Sequence, residues 1–383
     1  MSRPLTQYEK HNRRLRLKTY IRKTLLYTLI MQSVIFVVWF AVHSVSNAIQ
    51  PPEIPVVVRT VATPAPIQTP MWSPFSLRPQ EANSDESTDY DLSMEAFAYI
   101  EPMIAEFAER KPMFFTFLIF GLTEGLNANT IMVAAYDAEA GKGYVISIPR
   151  DTRVDVRRNN RKIVAAYNVG RLNGGEHEGG VARLKYEVQT LLGFRPDFYV
   201  RIDYEAFIRV VDAVGGVEVY VPFHMRYDDP CQDLHIDIPA GLQVLDGEDA
   251  LRFARYRRGN DPRQNITDYQ RIEHQQQVIN SIFTGLQTPR TILRIPEFIS
   301  IFNNYFSSDL SYGELLWFAN QGRSFLGGSD YTTLEFHTIH MRGTSGAPHW
   351  YELADARGVL ELVNRTVNPY TRDRTANDVR IVS

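Results

Sequence analysis

The longest apolar run in the chain is Thr24–Val42, TLLYTLIMQSVIFVVWFAV, nineteen residues without a charge. At 1.5 Å per residue it just crosses a hydrocarbon core of about 30 Å, so the pattern predicts one transmembrane helix. Downstream, Met94, Phe97, Ile100, Ile104 and Phe107 recur at spacings of three and four, which predicts an amphipathic helix over Leu92–Arg110. Phe114–Phe120, FFTFLIF, is a short apolar run of the kind expected for a strand buried on both faces. Thr130–Tyr136 and Tyr144–Ile148 flank the polar segment DAEAGKG and read as a hairpin. A helix over Gly180–Leu192, a strand over Phe198–Ile202, a helix over Tyr204–Ala213 and a strand over Val217–Val221 follow. Alternation of this sort predicts an α/β fold, a three-layer α/β/α sandwich with a central mixed sheet. Thr291–Phe306 and Leu310–Gly322 read as helices, Thr332–Ile339 as a strand and Tyr351–Val363 as a final helix.

Composition changes this picture mainly at the N-terminus. The first 23 residues carry eight basic side chains against Glu9. The whole chain is at -3, so the remainder stands at -10 (-3 less +7). Basic residues on the N-terminal side of the apolar run place that end in the cytoplasm and the body outside the cell membrane, with Trp39 near the outer interface. An acidic body argues against sequence-independent nucleic-acid binding, which rests on neutralising phosphates. Residues 43–91 are proline-rich and predict an extended extracytoplasmic stalk. The expected order is a basic tail (1–23), a transmembrane helix (24–42), a linker (43–91), a main domain (92–287) and a C-terminal α/β extension packed on it (288–383). Cys231 is the only cysteine and can form no internal disulfide.

Candidate chemistry concentrates in Leu251–Gln277, LRFARYRRGNDPRQNITDYQRIEHQQQ. Arg252, Arg255, Arg257, Arg258, Arg263 and Arg271 fall within twenty residues, opposed by Asp261 and Asp268. Asp246 can cap a helix that ends near Ala254, after which Arg255 and Arg257 leave it two apart, as in extended chain turned towards one site. A second helix starts at Thr267 or Asp268, with Arg271 and Gln275 four apart on one face and Asp268 one turn before Arg271. Guanidinium forks converging on a pocket are what phosphate or pyrophosphate recognition requires. Arg150 follows a predicted strand directly, the place where open sheets carry ligand groups.

These segments resemble the LytR-CpsA-Psr family of membrane-anchored cell-envelope phosphotransferases. The resemblance runs through Ser147–Thr152 (SIPRDT), Lys162 with Ala165, Ala166 and Tyr167, Gly215–Pro222 (GGVEVYVP), Asp246–Leu251 (DGEDAL), Arg255–Arg257 (RYR) and Asp268–Gln276 (DYQRIEHQQ), covering roughly residues 113–287. It implies a domain that binds a polyprenyl-pyrophosphate-linked glycan and transfers the phosphoglycan to a hydroxyl of peptidoglycan or another envelope polymer. Carried over, the pyrophosphate-binding groups are Arg150, Lys162, Arg255, Arg257, Arg271 and Gln275, with Arg150, Asp268 and Arg271 as the catalytic set. Asp268 either orients Arg271 or accepts the incoming hydroxyl's proton. The resemblance also implies Mg2+, organised by an aspartate soon after the first strand and by an arginine and an aspartate just before the second. Here the matching positions are Thr123, Asn127 and Asn129 in GLTEGLNANT, with Glu124 as a replacement ligand, and loss of both carboxylates weakens a hard-cation site. The alternative function is a non-catalytic module that binds polyprenyl phosphates or envelope glycans through the retained arginines.

Other motifs are weak. His337 and His340, three apart on a predicted strand, point to opposite faces and make a poor zinc pair. Asn265-Ile266-Thr267 matches a glycosylation acceptor but coincides with a helix cap.

Overall fold

The computed structural model describes residues 51–54, 109–123, 126–156, 158–174, 176–232, 234–288, 291, 294–324, 334–344 and 350–382. The expected basic tail, transmembrane run and all of the stalk but residues 51–54 lie outside these, as do Glu124 and nearly all of the expected helix over Leu92–Arg110. Among the described residues no helix is long and apolar enough to cross a membrane. The chain divides into two units, Met1–Pro52 with Tyr312–Asn320, and Glu53–Ser311 with Gln321–Ser383. Of the first, only Pro51, Pro52 and the helical Tyr312–Asn320 are described. The second unit carries every element below except the helix that begins at Tyr312.

Its centre is a mixed six-stranded sheet. The strands are β1 (Phe114–Leu122), β2 (Ala128–Asp137), β3 (Lys142–Ser147), β4 (Phe198–Ile202), β9 (Phe306–Ser308) and β10 (Leu334–Thr338), in the order β10-β3-β2-β1-β4-β9. β2 and β3 form the expected hairpin, closing at Asp137 opposite Lys142, while β1 runs parallel to β4 and β10 parallel to β3. Phe114, Leu118 and Phe120 point from one face of β1 into the main core, which they share with Leu184, Val188 and Leu191 of the helix Glu176–Leu192 (α2, after α1 at Ala166–Gly174). Val359 and Val363 of the last helix, α8 (Ala356–Arg365), complete it, and α8 packs against α2. On the other face Phe115 is buried but Phe117 and Ile119 are half-buried, so β1 is not covered equally on both sides as its apolar run predicts.

A second core forms around two small hairpins. β5 (Val217–Val221) follows α3 (Tyr204–Val214), whose expected span is met closely, but it does not join the central sheet. Gly215 and Gly216, both at φ 95°, turn the chain away, and β5 pairs with β8 (Gly241–Leu245). β6 (Met225–Asp229) pairs with β7 (Leu234–Ile238). Val217, Val219 and Val221 meet Met225, Ile236 and Ile238 there, together with Phe253 of α4 (Gly247–Arg255) and Val278 of α5 (Asp268–Leu286).

Two sequence expectations need correction. The segment after residue 287 is not an appendage: after α6 (Ile295–Tyr305) it supplies β9 and β10, the two edge strands of the central sheet. α7 (Tyr312–Ser324) lies between them in sequence. The final helix also starts later than expected. Glu352–Ala354 is a strand, β12, paired with β11 (Met341–Gly343), and Asp355 caps α8 by accepting the Gly358 N–H at 2.8 Å.

Candidate functional site

Local sequence signals place the site's side chains. Asp246 caps α4, its Oδ1 accepting the Asp249 N–H at 2.9 Å. The helix ends at Arg255 because Tyr256, fully buried, turns to an extended conformation (φ -55°, ψ 129°). α5 opens on a reciprocal cap: Thr267 Oγ1 accepts the Gln270 N–H at 3.2 Å, and Gln270 Oε1 accepts the Thr267 N–H at 2.9 Å. That fixes Asp268 and Arg271 on the first turn.

The two meet there, Arg271 Nη2 lying 2.6 Å from Asp268 Oδ1 with both side chains 9% exposed. Arg150 approaches from the end of β3. Its Nε is 3.8 Å from Asp268 Oδ1 and 3.9 Å from Asp151 Oδ2, and its Nη1 donates to Asn129 Oδ1 at 3.1 Å. Lys162 Nζ closes the ring on Asp151 Oδ1 at 2.8 Å. Burial, then the positive charge of Arg150, pushes the half-buried Arg257 guanidinium down, while Asp268 and Asp151 pull it up, so it faces the same group of charges. Arg271 is pushed down to about 10, first by burial and then by Arg150 and Arg257, against Asp268. It stays charged at neutral pH.

Many of these charges have no directed partner. Among the described residues the buried polar atoms without a hydrogen bond include Arg150 Nε, Arg271 Nε, both Asp268 carboxylate oxygens and Glu352 Oε2. Asp268 Oδ1 is close to Arg271 but at an angle that makes an ion pair, not a hydrogen bond. Buried polar groups are normally hydrogen-bonded, so such a concentration marks a site shaped for a polar ligand. Arg150, Arg257, Arg271 and Lys162 outnumber the three carboxyl groups among them, Asp151, Asp268 and Glu352, which gives that ligand a negative sign.

Two further expected members have partners of their own. Arg255 lays its guanidinium over the Tyr204 ring, 4.6 Å from its centroid. Gln275 donates to the Ala254 carbonyl at 3.3 Å and ties α5 to α4. Sequence reasoning missed Glu352, which is 4% exposed on β12 and interacts with Asp268, Asp151 and the Tyr269 hydroxyl. No local signal marks it, since only the pairing of distant strands brings it here.

The described residues expected to hold magnesium, Thr123, Asn127 and Asn129, do not fit that ion, and Glu124 lies outside the described residues. Asn129 Oδ1 is the acceptor of Arg150, and its carbonyl faces Arg271 Nη2 at 3.5 Å. Thr123 belongs to a tight backbone turn, its N–H donating to the Asn127 carbonyl at 3.1 Å and its carbonyl accepting from Leu126. A guanidinium thus occupies the place where a cation would compete for the same oxygen. Among the described residues no three His, Cys, Asp or Glu side chains are grouped to hold a metal ion.

The model of the LytR_cpsA_psr family matches residues 107–365. The chain belongs to this family. The LytR_cpsA_psr match runs through β9, β10 and all of α8, in agreement with their place in the sheet and core. The chain is 30% identical over 198 residues to the polyisoprenyl-teichoic acid--peptidoglycan teichoic acid transferase TagV of Bacillus subtilis (strain 168), covering 49% of this chain and 47% of that protein. It is 25% identical over 184 residues to the regulatory protein MsrR of Staphylococcus aureus (strain COL), covering 48% and 51%. The chain thus spans about half the length of the curated relatives it matches. The crystal structure of B. subtilis TagV superposes with a TM-score of 0.53 at 25% identity, covering 67% of this chain and 96% of that one.

Proposed function

We propose that this chain is an extracytoplasmic phosphotransferase that binds a polyprenyl-pyrophosphate-linked glycan and moves the phosphoglycan to a hydroxyl of peptidoglycan or another envelope polymer. The observation that carries this reading is the group of buried Arg271 and half-buried Arg150, Arg257 and Lys162 around partnerless polar atoms. Kinship with TagV, whose name describes transfer of teichoic acid from a polyisoprenyl carrier to peptidoglycan, supports the same chemistry. In this reading Thr24–Val42 anchors the chain in the cell membrane with its N-terminus cytoplasmic, residues 43–91 form the stalk, and the central sheet is the middle of an α/β/α sandwich.

The acceptor oxygen attacks phosphorus, the bond from phosphorus to the polyprenyl phosphate oxygen breaks, and the lipid phosphate leaves with the electron pair. Fixed guanidinium groups stabilise charge that collects on the phosphoryl and leaving oxygens, an effect that needs no reorganisation during the step. Arg271, anchored by Asp268 and buried, is suited to this because its charge acts in a low-dielectric setting.

The test is release of polyprenyl phosphate on incubation with a lipid-linked pyrophosphoryl glycan and peptidoglycan. Release with attachment of the glycan supports the transferase; tight donor binding without release supports the second reading, a non-catalytic lipid-phosphate binder. The misfit of the magnesium positions is the observation that favours the latter.

A further inference from the structure

Glu352 is held in place from both sides of its peptide. Its N–H donates to the Asp151 carbonyl at 3.0 Å, and its carbonyl accepts the Arg153 N–H at 2.8 Å, with Thr152 as its parallel bridge partner. These bonds fasten β12 behind the Arg150–Asp151 turn, so a residue 200 positions later in the chain is part of the same cluster. The side chain is buried, and Oε2 has no hydrogen-bond partner. Facing the carboxyl are Asp268 and Tyr269 from α5, and Asp151 and Lys162 from the segment after β3. The Tyr269 oxygen already accepts the Met341 N–H at 3.0 Å, which leaves its own proton to donate towards Glu352.

A carboxylate with a bare oxygen beside a phosphate-binding cluster is suited to accept a proton. Burial first, then the negative charges of Asp268 and Asp151, pushes the Glu352 carboxyl up to about 7, against the pull of Tyr269 and Lys162. Near neutral pH such a group is both available as a base and strong enough to be useful. Tyr269 also lines a cavity of about 520 Å³, together with Glu273, Gln276, His340 and Glu361. The Tyr269 and His340 rings lie nearly parallel there, 6.2 Å apart at 13°. Aromatic rings flanked by the carboxylates of Glu273 and Glu361 match the apolar faces and hydroxyls of a saccharide.

We propose that Glu352 is the base that takes the proton of the attacking hydroxyl, and that the sugar bearing this hydroxyl enters by the cavity at Tyr269. The role rests on the phosphotransferase reading and deepens it on the acceptor side. As the new oxygen–phosphorus bond forms, the hydroxyl proton moves to Glu352 Oε2. The bond to the lipid phosphate breaks and the lipid phosphate carries away the electron pair, after which Glu352 returns its proton to water. Because Glu352 acts ionised, the rate rises with pH and levels off above about 7.

The test measures transfer by the full chain in detergent from a lipid-linked pyrophosphoryl glycan to a peptidoglycan oligosaccharide, across pH 5 to 9 (roughly two units either side of the expected midpoint). Glu352→Gln keeps shape and hydrogen bonding but accepts no proton. It is expected to lower kcat on the order of 10² to 10⁴-fold, leave the KM for donor unchanged and abolish the acid limb near pH 7. Tyr269→Phe removes the group that pulls the carboxyl down, so its limb is expected to move to higher pH with a raised KM for acceptor. A merely structural Glu352 would change Tm or both KM values and leave the limb in place. Transfer by Glu352→Gln at the wild-type rate, or with the limb intact, overturns the proposal while leaving the transferase reading standing. Absence of transfer by the wild type overturns both.

Discussion

Arg271 and His274 share a helix turn yet meet opposite fates on burial. Arg271 finds Asp268 and keeps its charge, whereas His274 stacks on Phe253 at 4.4 Å and 26°, 5% exposed, with Nδ1 lacking a hydrogen-bond partner. Burial therefore pushes His274 from the ordinary 6.5 down to about 4. The folded state binds this proton less readily than the unfolded chain does. Its stabilising contribution is full above about pH 6.5 and is lost as pH falls towards about 4, a change of roughly 3 kcal/mol. Urea unfolding at pH 7 and pH 4.5 should show the wild type losing more stability than His274→Leu over that interval; equal losses would contradict the neutral, buried imidazole. At this scale the sequence was legible where one residue's neighbours in the chain decide its role. Asp246, Thr267 and the Asp268–Arg271 pair are local, and the structure uses them as their spacing implies. Arg255 and Glu352 are not local. An aromatic ring from α3 fixes the first and a strand from the far end of the chain the second, neither of which a motif can carry.

Elements with a clear period were legible in the same way. β4 and β5 have the spans their alternation predicts, and α3 ends one residue beyond its predicted limit. Partnership was not legible, because a strand's side-chain pattern names its inward face and not its neighbour. β5 alternates as well as any sheet strand, yet two glycines at positive φ send it to a separate hairpin. β9 and β10 are short and polar enough to look peripheral, yet they close both edges of the central sheet. A chain ending at Gln287 would lose these edges and the α8 face of the main core, including Val359, Val363 and Val367. Three buried valines at about 1.5 to 3 kcal/mol each are comparable to the whole stability of an ordinary domain, about 5 to 15 kcal/mol, before the lost sheet edges are counted. Such a truncation should show no cooperative thermal transition, and a sharp one near the full-length Tm would restore the shorter domain boundary.

At the scale of the whole molecule, two far-separated stretches of sequence converge on one buried cluster of mixed charge. The arginine-rich α4–α5 segment brings Arg257, Asp268 and Arg271, and the turn after β3 brings Arg150, Asp151 and Lys162. β12 sits behind that turn and seals it with Glu352. The family resemblance was legible because its motifs are short and ordered along the chain, and the matching family model extends it to residue 365. The measurement that tests the central claim most directly is calorimetric titration of the chain with a polyprenyl pyrophosphate analogue, wild type beside Arg271→Ala. Loss of one charge-assisted contact of about 1.5 to 3 kcal/mol predicts binding weakened roughly 10- to 150-fold in the variant with its fold intact. Equal affinity in both proteins, or no binding by the wild type, would contradict the assignment of this cluster as a pyrophosphate site.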